Sequence, residues 1–311
     1  MASPFSAGIQ NPIDLNIGEV VNKGIEISAN YNTKIGVVNV GFTGNFTTVK
    51  NEVTELYNGV NVGGGDEGNI WEGYPINFIR GYKVGGVFQT QAEIDAWRAK
   101  YRDATAGQTT TPSVSPYSPG DMYFQDVARG VTTPGKFNMS PDSIINDNDR
   151  VYLGKTIPGF YYGFGGNASF KNIDFSFFFR GQGDVQRIND VKRSGESMNS
   201  TGINQLGTVL ERWTPSNPST TIPRAVFGDP RQHTRFSDRW VEDAGFMRLQ
   251  NVELAYRFPA TMLSKTNFIQ GIRVYVMGTN LLTFTDYSGV DPESDYNPVA
   301  KQWVFGLNAS F

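Results

Sequence analysis

Seven segments of this chain alternate apolar and polar residues with a period of two, which is the pattern of β-strands with one apolar and one polar face. In residues 24–32, for example, Ile25, Ile27 and Tyr31 alternate with Glu26 and Asn30. Most of the segments have about 9–12 residues, enough for a tilted strand to cross a bilayer, whereas strands of globular proteins have about 5–6. The segments are residues 24–32, 37–47, 160–170, 173–180, 246–258, 272–283 and 303–311.

The two faces of these segments differ in polarity and therefore suit different surroundings. One face carries mainly Phe, Tyr, Ile, Leu and Val, and the other carries Asn, Ser, Thr, Gly and a few charged residues. An apolar outer face and a polar inner face are typical of strands in an outer-membrane barrel, where lipid lies outside and water inside. The same alternation would also suit a β-sandwich, in which the apolar faces form the core.

The connections between the segments alternate in length. The links at 33–36 and 171–172 are tight and the link at 259–271 is moderate, whereas those at 48–159, 184–245 and 284–301 are long and rich in Gly, Pro, Asn, Asp and Ser. Outer-membrane barrels have short periplasmic turns and long extracellular loops. The sequence therefore predicts an all-β fold, a segment of a transmembrane antiparallel β-barrel with about seven strands and long extracellular loops.

Two stretches within the long connections predict short helices. In residues 90–101, Thr90 and Glu93 have the spacing of a capping box, and Ile94, Trp97 and Tyr101 share one face. Residues 201–218 form the second candidate, in which a stripe ends before Pro215. The apolar residues of that stripe are Ile203, Leu206, Leu210 and Trp213.

The composition excludes several kinds of site. The chain has no cysteine and one histidine, His233, so it has no disulfide, no thiolate nucleophile and no multi-histidine metal site. A net charge of −3 offers no basic surface for nucleic acid. The mean hydropathy of −0.36 and the lack of an apolar run of about 20 residues argue against a membrane helix, but alternating strands would give the same averages.

No motif for catalysis, a cofactor or a metal ion is convincing. The run "INDNDR" at 145–150 places Asp147 and Asp149 at the first calcium-loop spacing, but the glycine and the later glutamate are missing, so loop capping is the better interpretation. The glycine-rich run at 60–68 has no following helix with a lysine, and we interpret it as a loop rather than a phosphate site. We therefore predict no enzyme activity and no cofactor.

Seven blocks of sequence, in order, resemble the SusC/RagA group of TonB-dependent outer-membrane transporters of Bacteroidetes. They include "NIGEVVNKGIEISANYN", "PGDMYFQD", "LERWTPSNPSTTIPRA" and "IRVYVMGTNLLTFTDYSGVDPE". The resemblance covers nearly the whole chain, and an ordered run of blocks is more specific than any single motif. The blocks lie at 16–32, 78–97, 119–126, 145–182, 210–225, 235–259 and 272–293.

The resemblance implies a position within such a transporter as well as a family. Residues 1–311 look like the C-terminal part, about seven strands of a 22-stranded barrel that normally encloses a plug domain. The plug and a signal peptide are not visible in this sequence, so we expect a fragment that is inactive alone. Relatives usually carry a longer acidic run after the block that matches "PGDMYFQD", so no metal site is carried over to Asp126.

The resemblance also implies a location and partners. The protein is expected in the outer membrane as a multi-pass barrel in contact with lipid. It would import oligosaccharides or peptides, with a SusD-like lipoprotein over the long external loops 48–159, 184–245 and 284–301. Energy would come from TonB–ExbB–ExbD through the plug. No nucleic-acid partner is expected.

The chain ends on "FGLNASF", which resembles the terminal strand that the assembly machinery of outer-membrane barrels recognises. The pattern fits Gly306, Ala309 and Phe311, although alanine is a weak hydrophobe. Aromatic residues on the apolar face are candidates for the lipid-facing girdle. These candidates are Phe160, Tyr162, Phe175, Phe177, Phe179, Tyr256, Phe258, Trp303 and Phe305.

Two other architectures remain open at this point. A soluble or surface-anchored β-sandwich that binds carbohydrate would place the apolar faces in a core, but it would have to accommodate strands of about ten residues and an insertion at 48–159, whereas loops longer than about 15 residues are uncommon in compact domains. A complete small porin would be expected to have an even number of strands, whereas seven are predicted.

Overall fold

The molecule has two parts, one built from long strands and one that contains the short strands. The computed structural model describes residues 18–105, 117–133, 136–200, 202–264 and 268–311. The strands in the described residues are β1 (Gly18–Lys23), β2 (Glu26–Ile35), β3 (Val38–Thr48), β4 (Lys50–Leu56), β5 (Ile79–Gly81), β6 (Val84–Val87), β7 (Arg102–Asp103), β8 (Met122–Phe124), β9 (Val131–Thr133), β10 (Lys136–Phe137), β11 (Ile144–Ile145), β12 (Val151–Gly154), β13 (Phe160–Phe170), β14 (Ile173–Gly183), β15 (Gln186–Ile188), β16 (Val241–Asp243), β17 (Phe246–Arg257), β18 (Gly271–Thr285) and β19 (Gln302–Ser310).

The seven long strands form one antiparallel sheet in the order β19-β18-β17-β14-β13-β3-β2. Each strand pairs with the next long strand along the chain, so the sheet is a simple meander. These strands coincide with the seven alternating segments to within a few residues, which confirms the predicted all-β fold and its strand count. The tight turns at 36–37 and 171–172 lie at one end of the sheet, and the three long connections lie at the other.

The register of the sheet keeps each face uniform across neighbouring strands. One row on the apolar face joins Ala168 to Phe175, Phe175 to Leu254, Leu254 to Val276 and Val276 to Phe305. A bulge at Gln250 in β17 shifts the pairing by one residue, since Phe178 lies opposite Asn251 and Phe179 opposite Leu249. The bulge restores the alternation that would otherwise be lost in the second half of the strand.

The apolar face of the sheet is open rather than buried. Phe42 is 57% exposed and Phe305 is 79% exposed, although each lies in the middle of its strand. Within the described residues no second sheet covers this face, so the structure does not have the sandwich arrangement. The aromatic candidates named from the sequence lie on this face, except Phe258, which follows the end of β17 and contacts the ring of Tyr256. Ring contacts partly cover several of them, such as Phe177 and Phe179 with centroids 6.0 Å apart.

The buried core lies in the connections beyond one end of the sheet. The largest cluster includes Phe88, Ile94, Trp97 and Met122, and a second one surrounds Trp240. The short strands pair as β1 with β4, β5 with β12, β6 with β8, β7 with β11, β9 with β10 and β15 with β16. The pairs β5–β12, β6–β8, β7–β11 and β15–β16 contribute residues to these clusters. We call this part, the described residues of 18–23, 49–159, 184–245 and 286–301, the loop module.

Buried ion pairs link distant parts of the loop module. The guanidinium group of Arg235 donates to both carboxylate oxygens of Asp103, 132 residues away, at 3.2 and 2.8 Å. The hydroxyl group of Tyr117 donates a hydrogen bond to the same carboxylate, with 2.8 Å between the oxygens. Burial raises the pKa of Tyr117 well above its ordinary value, so the hydroxyl group stays a donor at neutral pH.

Short helices occur in the connections as predicted, although only one of the two predicted places holds one. Helix α1 (Gln91–Arg98) begins after Thr90, whose side chain accepts from the backbone N–H of Glu93, and it buries Ile94 and Trp97. The other helices are α2 (Asp190–Gly195) and α3 (Ala260–Leu263). No helix in the described residues combines the length and the apolar character needed to span a membrane.

The prediction of a helix at 201–218 was wrong. Residue 201 lies outside the described residues, and in 202–218 the only helical turn is a 3₁₀ turn at Gly207–Glu211. Gly207 breaks the run of helix-forming residues, and bonds such as Val209 N–H to Leu206 C=O, at 3.2 Å, close tighter turns. The predicted stripe therefore does not share a face, and Leu210 is 78% exposed whereas Trp213 packs on the main cluster.

Replacing Trp97 tests the loop module as an independent core. Trp97 is 8% exposed, and its ring contacts those of Phe88 and Tyr117. Trp97→Ala should lower the free energy of unfolding of the module by about 3–5 kcal/mol, because it removes a large buried ring. Denaturant unfolding in detergent, with hydrogen exchange to locate the change, measures this. Leu210→Ala is the control and should change stability by less than about 0.5 kcal/mol; equal losses for both would contradict the assignment of the core.

Candidate functional site

Two arginines lie side by side on the polar face of the sheet. Arg180 of β14 is the direct cross-strand partner of Arg248 of β17. Both guanidinium groups lie over the ring of Phe246, at 5.2 and 4.9 Å from its centroid. Like charges at directly opposite positions are unfavourable, and Arg248 is only 1% exposed, so this register requires a nearby anion.

A segment of the last long connection supplies that anion. We call residues Asp291–Asp295, with the sequence "DPESD", the strap. The carboxylate of Glu293 accepts from both arginines, at 2.8 and 2.6 Å from Arg180 and 2.6 Å from Arg248. Asp291 accepts from the second terminal nitrogen of Arg248 at 2.8 Å. The strap therefore lies over the polar face and neutralises both charges.

The third carboxylate of the strap pairs with the loop module. Asp295 accepts from Nε and Nη2 of Arg187 in β15, at 2.7 and 3.2 Å, which is a bidentate contact. The hydrogen bonds that Arg187 donates to the Asp295 carboxylate raise the pKa of Arg187. Alternate residues 291, 293 and 295 thus each bind an arginine, and these arginines come from two strands of the sheet and one strand of the module.

A polar cleft of about 330 Å³ lies beside the strap, between the polar face and the loop module. Glu293 and Asp295 of the strap form one wall, and β14 and β15 form another. A glycine-rich stretch of the first long connection contributes Glu67 to the rim. The remaining polar or charged side chains that line the cleft are Thr156, Tyr161, Gln182, Gln186 and Arg187.

Acidic side chains outnumber basic ones in the lining of the cleft, so the local electrostatics disfavour a further negative charge. Partial burial, and then the charge of Asp295, raises the pKa of Glu67 above its ordinary value of 4.5. Burial also raises the pKa of Asp190, with the charges of Asp295 and Asp66 adding to the effect. The cleft can therefore bind polar solutes through charged, amide and phenol groups. It contains no pair of side chains arranged as a nucleophile and its base.

The terminal-strand residues named from the sequence lie at one edge of the sheet. Gly306 is opposite Tyr275, and a Cβ at Gly306 would overlap the tyrosine ring. Ala309 is opposite Ile272. Phe311 follows the end of β19, is 73% exposed, and stacks on Phe268 with centroids 6.1 Å apart. The structure gives Gly306 a packing role and keeps Phe311 on the surface.

The acidic run and the histidine serve the structure of the loop module. The carboxylate of Asp149 accepts from the backbone N–H groups of Val127, Ala128 and Asn146, at 2.8 to 3.0 Å. His233 is buried, and its Nε2 lies 3.5 Å from Asp121, a carboxylate that Arg224 already binds. The part of the chain that the structure describes contains no group of three or more His, Cys, Asp or Glu side chains placed to hold a metal ion.

Sequence reasoning missed the strap and Glu67. Arg180 and Arg248 belong to predicted strands, but their pairing depends on the register and on a bulge that periodicity does not reveal. Glu67 was interpreted only as part of a glycine-rich loop. One signal was present: "DPESD" repeats carboxylates at alternate positions in the connection before the last strand, a pattern suited to a row of basic side chains.

Comparisons with known proteins agree on one group of relatives. TonB-dependent receptor P26 of Formosa agariphila is 31% identical over 301 residues, which cover 93% of this chain and 27% of that protein. TonB-dependent receptor SusC of Bacteroides thetaiotaomicron is 24% identical over 317 residues, which cover 99% of this chain and 28% of that protein. The chain thus spans little more than a quarter of the length of these relatives. No protein-family model matches the chain.

Solved structures show the same fold. The structure of the RagAB peptide transporter matches with a TM-score of 0.73 at 24% identity, and the match covers 99% of this chain and 31% of that chain. The RagAB peptide importer in its "open-open" state matches with a TM-score of 0.71. At this identity the likeness establishes the architecture of the sheet and the loop module.

The raised pKa of Glu67 predicts a specific pH dependence of stability. An acid with a raised pKa in the folded state keeps its proton there when the unfolded chain has lost it, so stability falls as the pH rises from 4.5 through the folded pKa. Glu67→Gln should flatten the dependence of thermal stability on pH over that window. Glu55→Gln, the same change on an exposed residue of β4, is the control. An unchanged pH profile in Glu67→Gln would contradict the prediction.

Proposed function

This chain is a relative of the TonB-dependent receptors of the SusC/RagA type, as its sequence predicted, and from that premise we propose that it forms the C-terminal barrel wall and external loops of an outer-membrane transporter. In this proposal residues 1–311 are one part of a longer barrel protein, and the rest of the barrel and a plug complete it. The parent imports an oligosaccharide or a peptide, and the chain itself has no catalytic role.

One observation carries the proposal: the sheet exposes a continuous apolar face while the polar face and the loop module hold the charged groups. A soluble protein would have to cover an apolar surface of this extent. Lipid covers it without a further protein layer, and the strands have the length that a bilayer requires. In this arrangement the aromatic residues near the two ends of the strands, such as Phe160 at the start of β13 and Tyr256 at the end of β17, lie toward the two interfaces.

The polar side of the sheet and the cleft supply the solute path in this proposal. Water and solute on that side meet Arg187, Glu67, Gln182 and Tyr161 instead of lipid. RagAB, whose structure resembles this chain, is described as a peptide transporter, which supports a peptide as the substrate; the oligosaccharide alternative rests on the family resemblance of the sequence. Uptake of labelled peptides and oligosaccharides, by cells that carry the chain within its parent protein, tests this choice; uptake of neither class would refute it.

The loop module offers the surface for a SusD-like lipoprotein in this proposal. It stands at one end of the sheet, has its own core and exposes apolar side chains such as Leu210 and Phe227. Energy coupling through TonB–ExbB–ExbD would involve the plug of the parent protein. Co-purification of the parent with a lipoprotein encoded beside it tests the partner, and an isolated receptor at all stages would count against it.

Placing a charge on the apolar face tests the membrane location. Val252 is the seventh of the twelve residues of β17 and lies on that face, opposite Phe177 and Gly278. Val252→Arg should reduce the stability of the membrane-inserted protein by about 2–4 kcal/mol, because the guanidinium group must enter the hydrocarbon layer. Ser176→Arg is the matched control, since Ser176 is on the polar face beside Glu253. The measurement is folded protein in outer-membrane fractions; equal yields of both variants would refute the location.

The edge strand β19 is the assembly signal in this proposal. It ends the sheet order, so one of its edges is free to pair, and Gly306, Ala309 and Phe311 lie on it or directly after it. Phe311→Ala should lower the yield of folded protein in the outer membrane several-fold at equal expression. Phe268→Ala removes the stacking partner of Phe311 instead and is the control. If both variants lose yield equally, the ring contact rather than a signal explains the effect.

A further inference from the structure

The strap has a position and a set of contacts that the proposed transport role does not by itself require. It crosses the polar face above β14 and β17, through the ion pairs of Arg180 and Arg248. These contacts join residues 113 and 43 to 45 positions apart in the sequence. A loop that only connected β18 to β19 could extend into solvent, whereas this one is fixed on the side where a solute would pass.

The carboxylate of Asp291 organises the backbone of the strap. This carboxylate accepts from the backbone N–H of Glu293 at 2.9 Å and from that of Val299 at 3.3 Å, in addition to Arg248. The backbone N–H of Ser294 donates to the carbonyl oxygen of Asp291 at 3.1 Å. Pro292 restricts the backbone between these contacts. One side chain, Asp291, thus joins the fold of the strap to its anchor on the sheet.

Arg248 is the residue on which this anchor depends. It is nearly fully buried, it binds two strap carboxylates, and its Nε donates to the hydroxyl oxygen of Thr283 at 2.9 Å. Arg180 binds only Glu293 among the strap residues and is more exposed. Removing Arg248 would leave Asp291 and Glu293 close together with one guanidinium group instead of two, which strongly disfavours the bound strap.

We propose that the strap is a fixed constriction of the solute path and that Arg248 is the positioning residue that holds it there. Pro292, Glu293 and Asp295 of the strap line the polar cleft. The position of the strap therefore sets how large a group can reach Gln182 and Arg187. The strap therefore limits the size of the substrate that this side of the barrel admits. This inference rests on the proposed function, because it assumes that the polar face lines the solute path.

The first experiment measures the strap directly in the full-length protein that carries this chain. Arg248→Met should raise the hydrogen-exchange rates of the Glu293 and Val299 amides by at least about 100-fold, while amides of β13 and β14 stay protected. Arg248→Lys should restore part of the protection, because an ammonium group still reaches one carboxylate. Arg273→Met is the matched control: it breaks an ion pair with Glu253 on the same face, away from the strap.

The second experiment measures what passes the strap. The chain has no cysteine, so Gln182→Cys places a single thiol in the cleft, and its labelling can be followed on the peptide that contains it. A small maleimide should react in every background, whereas a maleimide that carries a polyethylene glycol chain should react quickly only with Arg248→Met. Arg248→Lys should give an intermediate rate with the bulky maleimide, and Arg273→Met should label like the protein with arginine at both positions.

The outcomes separate the inference from the proposed function. The proposed constriction would be overturned if the strap amides of Arg248→Met stayed protected from exchange. It would also be overturned if the small and the bulky maleimide labelled the protein with Arg248 intact at the same rate. Either result would leave the role as an outer-membrane transporter untouched. If Arg248→Met does not fold, Glu293→Gln replaces it as the test, because this variant keeps the ion pair of Arg248 with Asp291. Glu293→Gln should still speed the reaction of the thiol at position 182 with the bulky maleimide. An unchanged reaction rate in that variant would overturn the inference. A protein found outside the outer membrane would overturn both proposals.

Discussion

The structure depends on one constraint, which is that seven long strands pair in a register that keeps their alternation in phase. A slip of one residue would move every side chain of a strand to the opposite face. The rows from Ala168 through Leu254 to Phe305 stay apolar because each strand keeps this phase. The bulge at Gln250 corrects the phase where β17 would lose it, so both halves of that strand present the same kinds of residues to the same sides.

That constraint reverses the usual distribution of buried and exposed residues. The largest apolar surfaces of the sheet lie open, whereas the buried clusters lie in the connections around Trp97 and Trp240. The loop module therefore needs its own sources of stability. Ring contacts supply part of it, and buried pairs such as Asp103 with Arg235 fix the relative positions of segments that are far apart in the sequence. Such pairs specify an arrangement more clearly than they add net stability.

The same register creates the charged site. It places Arg180 opposite Arg248 on the polar face, a juxtaposition that is unfavourable without an anion between them. Glu293 binds both, and the neighbouring strap carboxylates extend the interaction to Arg187. The sheet, the last long connection and the loop module are thus joined by one set of ion pairs, and the polar cleft is the space that remains beside it.

The sequence by itself determined the features that repeat locally. Period-two alternation gave the seven strands, turn residues gave the alternation of short and long connections, and Thr90 with Glu93 marked the start of α1. Local patterns did not decide residues 202–218, where a helical spacing is present but Gly207 and packing of Trp213 produce a 3₁₀ turn instead. Only the tertiary structure brought Glu67, Arg187 and the strap together, because contacts across more than 100 residues depend on register and loop packing and leave no periodic trace in the sequence.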